Sequence, residues 1–91
     1  MTTPTKTQVL TETRRQVGVY ANLAPAQIND AWELKGVQLA LDDNLCAYLA
    51  ETLTDYANDY RADAVINPAD TRKAQQTVAG LADIVVKRIT A

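Results

Sequence analysis

The chain has 91 residues, 47% of them apolar and 22% charged, a balance that belongs to a single globular domain and excludes a disordered chain. Formal net charge is −2 and the nine Lys and Arg residues are scattered, so the basic footprint of a phosphate-backbone binder is missing and nucleic acid is disfavoured as a partner. Histidine is absent, which removes histidine triads and histidine-bound zinc.

The first 13 residues are rich in threonine and polar, without the apolar centre of a signal peptide. No apolar stretch approaches the roughly 18 residues needed to cross a bilayer. A cytoplasmic location without membrane attachment is therefore expected. A domain of this length buries only about 60 to 65% of its unfolded surface, so a homo-oligomer that covers more is expected too. Phenylalanine is absent, which leaves alanine to fill much of the interior.

Residues 5–20 fit a helix with Val9, Leu10, Thr13, Val17 and Tyr20 on one side. The threonines and the Val17-Gly18-Val19 run suit a strand equally well, and the sequence leaves the two open. Pro25 is placed to open a helix carrying Ile28, Ala31 and Trp32 inward, with Gly36 as its stop. Residues 37–41 read as a short strand or as the approach to the next helix.

From about Asn44 to Arg61 the pattern is helical, with Asp42 or Asp43 as N-cap and an inner face of Leu45, Leu49, Thr52, Leu53, Tyr56 and Tyr60. The C-terminal helix opens on Asn67, Pro68 and Asp70, an N-cap, a first-position proline and a first-turn anion. Ala74, Val78, Leu81, Val85 and Ile89 then share one face. The short connection makes these two helices an antiparallel hairpin, with bulky Tyr56 and Tyr60 set against small Ala74 and Val78. The expected fold is thus an all-α bundle of three or four helices over residues 1–91, built on a C-terminal hairpin. A short strand or hairpin within residues 5–41 is not excluded.

Chemistry-bearing motifs are few. Cys46 can make no internal disulfide and has no basic residue within three positions to activate its thiol, so it reads as a small buried hydrophobe. Trp32 reads as a core anchor. There is no phosphate loop, dinucleotide fingerprint or paired-cysteine motif, and no cofactor or metal is expected. A helix-turn-helix over residues 28–49 fails because its second element would open with Asp42 and Asp43, facing phosphates with like charge.

Glu51, Asp55 and Asp59 recur every four residues along the long helix, with no base on that helix spaced to offset them. They read either as a solvated face or, with neighbouring Tyr48, as a docking stripe for a basic protein partner, aromatic residues being enriched at interfaces. Arg14 and Arg15 form an adjacent basic pair that can neutralise the stripe or, with Lys87 and Arg88, contact phosphate. The functional expectation is a non-enzymatic interaction, adaptor or inhibitor module with no catalytic residues, self-associating through its own surface. The alternatives are an accessory nucleic-acid-binding protein using Arg14, Arg15, Lys87 and Arg88, and a small helical enzyme with its site at a dimer interface.

Overall fold

The computed structural model describes residues 3–90, so Met1, Thr2 and Ala91 of the expected domain lie outside the described residues. Four α-helices and one 3₁₀ turn surround a single apolar cluster. Among the described residues no strand forms, and the one β-like feature is an isolated antiparallel bridge between Glu33 and Thr77. The all-α bundle expected from the sequence is what the chain forms.

Helix α1, Lys6–Ala21, resolves the ambiguity of the first segment. Its start is fixed by a reciprocal cap, in which the Gln8 amide donates to Thr5 Oγ1 at 3.1 Å and the Thr5 amide to Gln8 Oε1 at 2.8 Å. The threonines that favoured a strand return their hydroxyls to the carbonyl four residues back, Thr11 to Thr7 and buried Thr13 to Val9, so they burden the helix with no unsatisfied group. Gly18 is needed for packing: a Cβ there would stand 2.5 Å from the Leu23 carbonyl oxygen. The chain turns back over it through Asn22, whose φ of 59° closes the helix in the left-handed region.

The helix expected from Pro25 does not form beyond one 3₁₀ turn, Pro25–Gln27. Ala31, expected inward, is exposed, while Ile28, Leu34, Leu39 and Leu41 are buried and Trp32 is half-buried against the core. Neither does a strand form at residues 37–41, where Val37 is 94% exposed and Ala40 has φ 49°. This irregular segment is held by its backbone. The Val78 amide donates to the Trp32 carbonyl at 3.1 Å, the Ala79 amide to the Asp30 carbonyl at 2.9 Å, and the Leu34 amide to the Gln76 carbonyl at 2.8 Å.

Helix α2, Asp43–Asn58, begins at Asp42, whose Oδ1 accepts from the Leu45 amide at 2.8 Å. It ends three residues short of the expected Arg61, where the Asn58 side chain gathers the carbonyls of Arg61, Ala62 and Ala64. The buried face is Cys46, Leu49, Ala50, Leu53 and Ala57. It is rotated by about 65° from the face expected on the tyrosines. Tyr56 is half-buried and Tyr60 is 37% exposed; small residues, not aromatic ones, make the closest approach to the core.

The expected continuous C-terminal helix is two helices, α3 at Pro68–Arg72 and α4 at Val78–Thr90, broken where Gln75 takes φ 62°. The opening at Asn67 is as read, with the Asn67 amide donating to Asp70 Oδ2 at 2.9 Å. α3 runs antiparallel to α2 and is fastened there by buried Thr71, whose hydroxyl donates to the Cys46 carbonyl at 2.7 Å. α4 instead packs most extensively against α1. Its first amides have the Asp30 and Trp32 carbonyls as partners, and Thr77 Oγ1 accepts from the Gly80 amide at 3.0 Å, so the helix can restart there. Ala74 lies exposed in the bend and Ala79 is half-buried. The proposed seam of Tyr56 and Tyr60 against Ala74 is therefore corrected, since Tyr56 and Tyr60 border α1.

Candidate functional site

Glu51 and Asp55 on α2 and Asp59 at its C-cap are all exposed. Their exposure follows from the opposite face being the buried one. Among the described residues none of the three forms an ion pair. Tyr48, 55% exposed, continues the same line toward the helix start, within about 40° of Asp55 and Asp59 around the axis. The four residues form a ridge with a hollow on each side.

The hollow between α1 and α2 is an open groove of about 430 Å³ whose apolar surface comes from Val19, Tyr20 and Tyr56. Asp55 and Asp59 stand on its α2 rim, and Glu12, Arg15 and Gln16 on its α1 wall. On the other side of the ridge, Glu51 and Asp55 border a hollow of about 510 Å³ whose far wall is Val65, Ile66 and Pro68. Tyr56 and Tyr60 meet edge to face with ring centres 5.5 Å apart, and close the end of the groove toward the start of α1. Burial and, next, the neighbouring Tyr60 push the Tyr56 hydroxyl up to about 12, so it stays a neutral donor across the physiological range.

The α1 wall is tightly bonded. Arg15 grips Glu12 with two parallel bonds, Nε to Oε1 at 2.8 Å and Nη2 to Oε2 at 2.6 Å, the bidentate geometry a guanidinium makes with a carboxylate. That bond holds the Glu12 carboxyl below the usual range, against the opposing effect of its partial burial and with further help from Gln16. Gln16, only 5% exposed, donates through Nε2 to Glu12 Oε2 at 2.7 Å and, at 3.4 Å, to the Thr52 carbonyl of α2. Both contacts are acceptors, which fixes the amide orientation and leaves buried Gln16 Oε1 with no donor. Tyr20 donates to Thr52 Oγ1 at 3.4 Å.

The two arginines thus do not neutralise the α2 ridge as expected. Arg15 is spent on Glu12, and Arg14 points to the irregular segment, its Nε 2.7 Å from Asp30 Oδ1. Arg88 donates to the Val65 carbonyl at 3.2 Å and sits 3.4 Å from Asp70, while Lys87 is exposed. Three of the four bases considered for phosphate are therefore bound to the protein's own carboxylates. Cys46 is fully buried, and burial pushes its thiol up, away from the reactive thiolate.

Among the described residues no three metal-ligating side chains are grouped to hold an ion, and no helix is long and apolar enough to cross a membrane. The α1 contribution to the groove was missed in the sequence. Its signal was there: Glu12, Gln16 and Tyr20 recur every four residues, the same spacing that marks the carboxylates of α2. No protein-family model, curated protein or solved structure matches the chain.

Proposed function

We propose that this chain is a non-enzymatic interaction protein that docks a basic segment of a protein partner on the α2 ridge and the groove beside it. The observation that carries this reading is the pair Asp55 and Asp59, exposed, without an ion pair among the described residues and set on the rim of a groove that Val19, Tyr20 and Tyr56 also line. Like charges four residues apart cost an isolated helix a few tenths of a kcal/mol each, and an arriving cation removes that cost while the tyrosines supply contact area. Self-association belongs to the proposal through Val19, Val37 and Val65, apolar side chains that are 67, 94 and 51% exposed.

The test is capture from the native source with wild type and with a Glu51→Lys, Asp55→Lys, Asp59→Lys triple variant, after melting curves show that both are folded. A partner retained by wild type and lost by the variant is the expected result, and identical partner sets would overturn the role of the ridge. Sedimentation of the purified chain reads the oligomeric state. A nucleic-acid role for Arg14, Arg15, Lys87 and Arg88 has no comparable support, because the three arginines already have acidic partners.

A further inference from the structure

Resting on the docking reading, the chemistry of the groove narrows the group it receives. Its rim carries Asp55 and Asp59, two carboxylates that only accept hydrogen bonds when ionised. Its α1 wall holds a buried acceptor without a donor, Gln16 Oε1. Orphaned buried acceptors are costly, and this one cannot be relieved by turning the amide, since Nε2 already serves Glu12 and Thr52. The charged donor on the groove's own wall, Arg15, is engaged by Glu12, which leaves Asp55, Asp59 and Gln16 Oε1 without one.

The protein's own Arg15 shows which donor group suits this wall. Arg15 Nη2 and Gln16 Nε2 donate to the same Glu12 oxygen, so a guanidinium already lies beside the Gln16 amide. The Arg15 side chain is 58% exposed, so this wall holds a guanidinium at a half-open position. Half-buried Tyr20 and Tyr56 offer ring surface, on which a planar, weakly hydrated guanidinium stacks better than an ammonium.

We infer that the groove between α1 and α2 is an arginine pocket, in which a guanidinium of the partner segment is held by Asp55 and Asp59 on one side and Gln16 on the other, against Tyr56. An ammonium satisfies the carboxylates as a point charge but has three donors on one atom, whereas a guanidinium spreads five donors across the width of the groove.

The experiment is a nitrogen-edited NMR titration of the whole chain with two blocked eight-residue peptides, identical except for arginine or lysine at three positions. The arginine peptide is expected to bind about fivefold more tightly, the advantage of added charge-assisted bonds at a half-open site. It should move the Gln16 side-chain amide resonances together with the backbone amides of residues 52–59. Gln16→Met should bring the arginine peptide down to the lysine peptide's affinity and leave the latter unchanged. Asp55→Asn with Asp59→Asn should weaken both.

Equal affinity of wild type for the two peptides, or shifts that map away from the groove, would overturn the arginine pocket while leaving the docking reading in place. Binding of neither peptide would overturn both. The wild-type comparison decides the matter even if Gln16→Met does not fold.

Discussion

The two faces of α2 are built from the same helix and do opposite things. One carries Cys46, Leu49, Ala50, Leu53 and Ala57, none more than 1% exposed, with Thr71 bonded across to the Cys46 carbonyl. The other carries Tyr48, Glu51 and Asp55, continued by Asp59 at the C-cap, exposed and without an ion pair among the described residues. On the first, each group has a partner inside the protein, so its free energy goes into folding. On the second, charge and aromatic surface are left without partners inside the protein, which is the surplus on which the proposed docking rests.

If that division is right, the largest stability loss comes from the inner face. Leu53→Ala should cost about 2 to 5 kcal/mol, the range for truncating a fully buried leucine whose surroundings cannot collapse. Denaturant unfolding measures it. A loss below 1 kcal/mol would mean that the core is loosely packed around α2 and that the contrast between the faces is weaker than drawn.

A smaller effect comes from the wall between the two regimes. The lowered pKa of Glu12 means that its ion pair with Arg15 contributes stability that is fully present above the unfolded carboxylate value of about 4.3 and lost as pH falls through the lower folded value. With Arg15 largely exposed, the contribution is about 1 kcal/mol or less. Unfolding midpoints of wild type and Glu12→Gln between pH 6 and pH 3 should converge as the pH drops. Asp43 and Asp63 are also lowered, by Lys35 and Arg61, and act equally in both proteins. Parallel profiles would show that the wall does not depend on this pair.

The smallest effect is expected at the ridge itself. Asp55→Asn with Asp59→Asn removes a like-charge repulsion of a few tenths of a kcal/mol and should leave the melting temperature unchanged or slightly raised. A clear destabilisation would make these carboxylates structural and erase the difference between the faces.

How far the sequence could be read follows the range of each interaction. The acidic line was legible because its members lie four residues apart on one helix and involve no other element. The inner face of α2 is not legible from side-chain size, because only the neighbouring elements decide that Cys46, Ala50 and Ala57 join Leu49 and Leu53 there. In the C-terminal segment the pattern from Ala74 to Ile89 has helical spacing throughout, with neither proline nor glycine before Gly80, so nothing nearby announces the bend.

By itself, the sequence determined the helical second half, the openings of α2 at Asp42 or Asp43 and of α3 at Asn67, and the acidic line spaced every four residues, since each rests on contacts within about four residues. Tertiary structure alone decided the rest. Residues 73–77 leave the helix because the Asp30 and Trp32 carbonyls, more than 40 positions earlier in the chain, take the amides of Val78 and Ala79 and let α4 begin afresh. Likewise Arg14 turns to Asp30, 16 positions away and outside its own helix: that partner is found by distance in the folded chain, which spacing along one helix does not record.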